Sequence, residues 1–219
     1  KNKGIKGFFR ILKAVKNNRY DLAIIPHRFI RSILLAKMAG IKKTVGFDVA
    51  TGSFLLHEKK HYDMSKHEVE RLLDLIDYKG ERVPLGIYPS KEDMDKIDGL
   101  LKGKYYKNLI TIAPGSQRPE KIWPINKYDE LIKRLSENKE NLIVVTGGKA
   151  EKTLDLKSVS TENVTDLRGE ISLLEFAALL SKSDIIISND SAPIHIGSAF
   201  EKPFVIGIFG PGKKSLGFF

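Results

Sequence analysis

The sequence predicts an α/β protein made of two doubly wound, Rossmann-like lobes. Three observations lead there. In the second half, five short strand candidates, most of them nearly continuous apolar runs, alternate with segments of helical spacing, at residues 109–113, 142–146, 163–166, 184–188 and 204–209. Continuous apolar strands are buried on both faces, and alternation with helices implies parallel pairing through right-handed crossovers. Four of these five strand ends run into glycine, serine, threonine or aspartate, and ligands of such sheets bind outside the carboxyl ends of the strands. The first half repeats the rhythm of helix followed by strand on a smaller scale.

Taken in order, residues 7–18 set Phe8, Ile11, Leu12 and Val15 at helical spacing, and residues 21–26 read as a short buried strand stopped by Pro26. Residues 29–39 are a second helix ended by Gly40, and residues 44–47 a second strand. Residues 66–78, with Val69, Leu72, Leu73 and Ile76, are an amphipathic helix. Residues 1–83 are therefore expected to form a partial amino-terminal lobe. Residues 84–107, with Pro84, Gly86, Pro89 and a charged helix over 90–101, are read as the connection between lobes. Residues 108–219 form the carboxyl-terminal lobe, with helices expected over 126–136, 149–158, 172–181 and 191–199.

Composition bounds the function. At 219 residues the chain can bury one large core or two smaller ones, and no run approaches the roughly 18 apolar residues of a membrane span. The opening Lys1-Asn2-Lys3-Gly4 is not a secretory leader, and with no Met it leads us to expect further natural sequence upstream. The absence of cysteine rules out disulfides and thiolate chemistry and fits a reducing cytoplasm. A net charge of +10 attracts anions, but the lysines alternate with acidic residues, as in Lys91-Glu92-Asp93, and this distribution argues against a nucleic-acid stripe.

The polar loops at the strand ends carry the candidate chemistry. After the first strand of the second lobe comes Pro114-Gly115-Ser116-Gln117-Arg118-Pro119-Glu120-Lys121, where a glycine admits a close ligand, Ser116 offers a hydroxyl and Lys121 a point charge for a diphosphate. The alternative is a surface turn with a solvated lysine. Gly147-Gly148 leave room for a ligand at the next turn, where Glu151 could take ribose hydroxyls or stabilise a helix start. In Ser188-Asn189-Asp190-Ser191-Ala192-Pro193-Ile194-His195, Asp190 and Ser191 occupy a strand-to-helix turn and His195 lies one helical turn on; an ordinary cap with a half-buried histidine competes. The chain has neither a Walker loop nor a G-x-G-x-x-G turn, which disfavours an oxidoreductase. Asp93-Met94-Asp95 resembles a metal-binding D-x-D, but residues two apart on a helix do not face each other, so no metal is expected. His57 and His61 are read as part of a solvated loop.

Together, Pro114-Gly115-Ser116 with Lys121-Ile122-Trp123-Pro124, Gly147-Gly148, Asp166-Leu167-Arg168-Gly169 with Ser172-Leu173, the 188–195 segment and Phe209-Gly210-Pro211 resemble glycosyltransferase family 9, the lipopolysaccharide heptosyltransferases. The first half resembles it through residues 20–26 and Ala39-Gly40-Ile41 with Val45-Gly46-Phe47. The resemblance implies a GT-B fold truncated at both ends, and inverting, metal-independent transfer of heptose from ADP-heptose, without a cofactor, to a phosphorylated lipid A–core acceptor. It implies a cytoplasmic enzyme in peripheral contact with the inner face of the inner membrane. By position, Ser116, Gln117 and Lys121 would meet the diphosphate or sugar side, with Lys121 stabilising the leaving diphosphate. Gly147 and Glu151 would border the nucleotide, Asp190 would hold sugar hydroxyls, and the amides of Ser191 and Ala192 would bind phosphate beside His195. Arg168, Gly169 and Ile171 would line the adenine pocket. Ala192 stands where the family more often has glycine. The family's general base is an Asp in a Gly-Asp pair with no counterpart here, so it is expected in an upstream stretch of roughly 45 or more residues, a βα unit needing at least about 30. Competing readings are a GT-B transferase for another nucleotide sugar and a catalytically silent sugar-nucleotide-binding paralogue.

Overall fold

The structure, a computed structural model, describes residues 4–81 and 84–210. The chain divides into two compact units at residues 82 and 83. Pro211 of the Phe209-Gly210-Pro211 motif, and the rest of the lobe expected to run to residue 219, lie outside the described residues.

The first unit contains α1 (Gly4–Asn17), β1 (Leu22–Ile25), α2 (Ile30–Met38), β2 (Lys43–Phe47), β3 (Glu58–Lys60) and α3 (Glu68–Asp74). The three strands are parallel in the order β1-β2-β3. Helix α2 stops at Gly40, whose φ of 83° lets the amides of Gly40 and Ile41 close back on the carbonyls of Lys37 and Ala36. Ile25, Ile33, Ala36, Ile41, Ala50 and Leu56 form its main core.

Two expectations for this unit are corrected. The loop expected around His57 and His61 contains β3: residues 58–60 are Glu-Lys-Lys, with no apolar alternation to reveal a strand. The helix expected over 66–78 spans only Glu68–Asp74, because the chain turns through Asp77 at φ 51°. Its buried side carries Leu75 and Arg71, while Ile76 is 51% exposed. Arg71 can turn inward because its donors are satisfied: Nε and Nη2 bond the Glu68 carboxylate, and Nη1 the carbonyls of Asp63 and Lys66.

The second unit contains α4 (Lys91–Leu101), β4 (Asn108–Ala113), α5 (Ile125–Ser136), β5 (Asn141–Val145), β6 (Val164–Asp166), α6 (Leu173–Lys182), β7 (Ile185–Asn189), α7 (Ala192–Gly197) and β8 (Phe204–Ile208). All five strands are parallel in the order β6-β5-β4-β7-β8. The pleat explains the apolar runs. On one face Ile110, Ile112, Ile143 and Val145 pack with Tyr128 and Ile132 of α5. On the other, Leu109, Leu142 and Val144 pack with Ile97 and Leu101 of α4 and with Ala178 and Leu179 of α6. Each such fully buried side chain contributes roughly 1.5–3 kcal/mol of transfer free energy. Helix α4 is thus part of this core, where the sequence suggested only a connection over 84–107.

The helix expected over 149–158 is replaced by two 3-10 turns, Lys149–Thr153 and Lys157–Ser160. The guanidinium of Arg168 supplies what helical amides would have: Nη1 donates to the carbonyls of Glu151 and Leu154. Between the turns Leu156 is free to drop into the core. The Asp93 of the D-x-D pattern caps α4, its carboxylate accepting from the amide and hydroxyl of Ser90.

Candidate functional site

Strands β4 and β7 are neighbours, yet the chain leaves β4 toward β5 and leaves β7 toward β8, so the strand order reverses between them. At such a reversal the loops diverge and open a crevice at the carboxyl edge. A cavity of about 600 Å³ lies there, within the range of small-molecule sites. It is walled by the loop after β4 (Gly115, Ser116, Gln117, Arg118 and Lys121), the turn after β5 (Thr146, Gly147, Gly148 and Glu151), the segment entering α6 (Ile171, Ser172, Leu173 and Phe176) and the turn after β7 (Asp190, Ser191, Ala192 and Pro193).

Most of the candidate residues therefore meet in one place. Lys121 and Asp190, 69 residues apart in sequence, form an ion pair with Nζ 2.5 Å from Oδ2. Both side chains are largely buried, at 28% and 16% exposure, so the pair is less screened than a surface pair. Each was expected to face a ligand separately.

Glu151 explains the glycines. A Cβ at Gly147 would come within 2.7 Å of Glu151 Cβ, a Cβ at Gly148 within 3.0 Å of Glu151 Oε2, and one at Gly115 would overlap the Glu151 side chain. The glycines cradle this side chain and line the cavity together with it. Glu151 stands in the first turn of the 3-10 helix Lys149–Thr153 and is half-buried. Among the described residues no ion pair neutralises Glu151 or Arg118.

Arg168 and Gly169 do not line the cavity. Arg168 is 4% exposed, and besides the two carbonyls it grips Asp166 through Nε at 2.9 Å and Nη2 at 2.8 Å. Burial pushes the Asp166 carboxyl up, but the bonds from Arg168 outweigh it and hold the group below the usual carboxylate range. Gly169, at φ 75°, donates its amide to the Gly147 carbonyl and joins the two turns. Their place is behind the wall that presents Glu151 and Ile171. His195, on α7, is exposed and outside the lining.

Among the lining residues to which sequence reasoning gave no role, four matter most to the walls. Arg118 was quoted within its loop without a role, and Thr146 was taken only as a strand end. Leu173 and Phe176 carry the apolar side of the cavity, and their signal, apolar residues at the start of a helix that cover no core strand, was available. A fifth residue, Asn189, is buried beside the cavity. Its Oδ1 accepts from the Trp123 amide and the Tyr128 hydroxyl, both at 2.9 Å, and its Nδ2 donates to the Pro114 carbonyl at 2.7 Å. Burial pushes the Tyr128 phenol far up, so it remains an O–H donor.

Comparison with known proteins agrees with this geometry. The family model of glycosyltransferase family 9 (heptosyltransferase) matches residues 8–216. The lipopolysaccharide core heptosyltransferase OpsX of Haemophilus influenzae is 27% identical, across 95% of this chain and 62% of that protein. The chain thus spans a little under two thirds of that relative. Among solved structures, the glycosyl transferase family 9 protein of Veillonella parvula superimposes with a TM-score of 0.80 at 18% identity, over 97% of this chain and 64% of that one. Heptosyltransferase WaaC of E. coli, solved with ADP-2-deoxy-2-fluoro heptose, gives 0.70 at 20% identity over 95% and 67%. These likenesses agree with a GT-B fold, and with a family model that matches nearly its whole length, this chain belongs to glycosyltransferase family 9.

Proposed function

We propose that the second unit is the donor site of a heptosyltransferase, and that the protein moves heptose from ADP-heptose to a phosphorylated acceptor of the lipopolysaccharide core. The observation that carries this is the cavity at the strand reversal, because its walls match the parts of a nucleotide sugar. Ile171, Leu173 and Phe176 offer an apolar surface for a base. Glu151, fixed by its glycine cradle, is an acceptor for ribose hydroxyls. Ser116, Gln117, Arg118 and Lys121 on one loop, facing Ser191 and Ala192 on the other, suit a diphosphate, and Asp190 suits sugar hydroxyls.

In this reading transfer is inverting and needs no metal. A base must deprotonate the acceptor hydroxyl as the diphosphate departs, and positive groups must meet the charge that develops on the leaving group. Lys121 and Arg118 are the cations at the cavity. Donor entry exchanges one set of partners for another: the diphosphate takes Lys121, while sugar hydroxyls replace the ammonium at Asp190. The relatives named for lipopolysaccharide core transfer support the acceptor class. Such an acceptor is borne on lipid, which would bring a cytoplasmic protein to the inner face of the inner membrane; among the described residues no helix is long and apolar enough to cross it.

The test is calorimetric titration of the chain with ADP, UDP and GDP in the presence of EDTA. ADP is expected to bind with a clear preference, and raising salt should weaken it. Equal affinity for the three, or binding only when a divalent cation is added, would overturn the donor assignment.

A further inference from the structure

We propose that Asn189, which touches neither the cavity nor a substrate, is the positioning residue of this donor site: one buried amide sets where the loop bearing Arg118 and Lys121 stands relative to Asp190. The proposal rests on the donor-site reading above and adds to it the residue that holds the reactive geometry.

The loop from Pro114 to Pro124 carries much of the polar wall, yet it has little to hold it. Pro114, Pro119 and Pro124 have no amide to donate. Its backbone bonds within the loop are confined to the turn around Pro119–Lys121, where the amides of Lys121 and Ile122 bond the carbonyls of Arg118 and Pro119. Trp123 packs its ring against Tyr128 and the core, and Lys121 pairs with Asp190; among the described residues the other side-chain hydrogen bonds between the loop and the sheet are made by Asn189. Nδ2 donates to the Pro114 carbonyl at the start of the loop, with a longer contact of 3.4 Å to the Gly115 carbonyl. Oδ1 accepts from the Trp123 amide at the end of the loop, and from Tyr128 in the helix that follows. One side chain therefore closes both ends of the loop onto β7, and the next residue in the chain is Asp190. The Lys121–Asp190 distance of 2.5 Å spans two elements whose separation this amide fixes.

Chemistry restricts the position to asparagine. The amide is fully buried, so every donor and acceptor around it must be answered. Two donors face its oxygen and two carbonyls its nitrogen. Aspartate would answer the donors and repel the carbonyls, whereas alanine would leave all of them unpaired. Low polarity strengthens the bonds that are made. Asn189 is also part of the fold, so the decisive readout must separate positioning from stability. Adenosine and ADP do this, since only ADP carries the groups that the 114–124 loop meets.

The experiment titrates the wild-type chain, Asn189→Asp and Tyr128→Phe with ADP and with adenosine. In Asn189→Asp, ADP affinity should fall roughly ten-fold or more, which corresponds to one misplaced charge-assisted contact, with adenosine affinity nearly unchanged. Tyr128→Phe keeps the volume and removes one donor to Oδ1, so it should shift the ratio in the same direction by less. Lowering the pH should restore ADP binding in Asn189→Asp, because a buried carboxyl protonates readily and regains a donor for the Pro114 carbonyl. A wild-type ratio of ADP to adenosine affinity in both folded variants, or in Tyr128→Phe alone if the aspartate variant does not fold, would overturn the assignment while leaving the donor site standing. A wild-type chain that binds neither ligand would remove the donor site and this assignment with it.

Discussion

The two units use the same construction, parallel strands joined through helices, but among the described residues the second holds a cavity of about 600 Å³ and the first one of about 280 Å³. In the first unit the described strands run β1-β2-β3 without reversal. The loops at their carboxyl ends are occupied with one another: Asp48 takes the His61 ring at 2.9 Å and the Tyr62 amide at 3.0 Å, and Arg28 and Arg71 both stack on Tyr62. In the second unit the order reverses between β4 and β7, the loops diverge, and Arg118 and Glu151 stand at the gap without ion-pair partners among the described residues. A parallel sheet provides an edge. The reversal provides the space, and groups left unneutralised there provide the chemistry.

That contrast can be broken by substitution. The largest effect should come from behind the second unit's wall. Arg168→Gln leaves Asp166 and the carbonyls of Glu151 and Leu154 unanswered, and we expect a loss of about 2–4 kcal/mol in denaturant unfolding. Because the Asp166 carboxyl is held below its ordinary range, the stability it contributes is complete above the unfolded carboxylate pKa of about 3.9 and is lost as pH falls through the lower folded value. The gap between wild type and Arg168→Gln should therefore narrow in acid below about pH 4. A gap independent of pH would mean that the two carbonyls, not Asp166, are the partners that count.

Next in size is Asp190→Ala. The change removes the carboxylate from a largely buried ion pair with Lys121, a cost of about 1–3 kcal/mol, so the melting temperature should move by several degrees. Affinity for the nucleotide sugar relative to ADP should fall by a larger factor, since the carboxylate proposed to meet the sugar is gone. A large loss of stability with a normal affinity ratio in the folded fraction would make Asp190 structural. The smallest effect belongs to the first unit. Arg28→Ala removes a cation stacked 5.0 Å from the Tyr62 ring centre. It should cost about 0.5–1 kcal/mol and leave ADP affinity unchanged. A change in ADP affinity would show that the first unit contributes to the donor site.

The second unit was legible in the sequence because its central strands are buried on both faces: runs such as Leu142-Ile143-Val144-Val145 have no polar alternative to a central strand. The sequence also put Lys121 and Asp190 in the same place, since both follow strands whose ends must meet at one edge. What it hid were partnerships between distant residues. Arg168 was expected at the adenine pocket only through the family resemblance; its burial depends on Asp166 and on carbonyls 14 and 17 residues away. Gly115, Gly147 and Gly148 do line the cavity, and no spacing rule shows that Glu151 packs against them there. Strand β3 is three polar residues paired with β2, so only its neighbour identifies it. Helix α4 was taken for a connection because its charged residues conceal the two, Ile97 and Leu101, that reach the core.

The central claim, that the reversal edge of the second unit is the nucleotide site, is tested most directly by hydrogen exchange of the chain with and without ADP. Amides in residues 113–121, 146–151, 171–176 and 190–193 should exchange more slowly when ADP is present, and those in 26–29, 48–52 and 61–67 should not change. Protection centred on the carboxyl edge of the first sheet, with the second unit unaffected, would contradict the account.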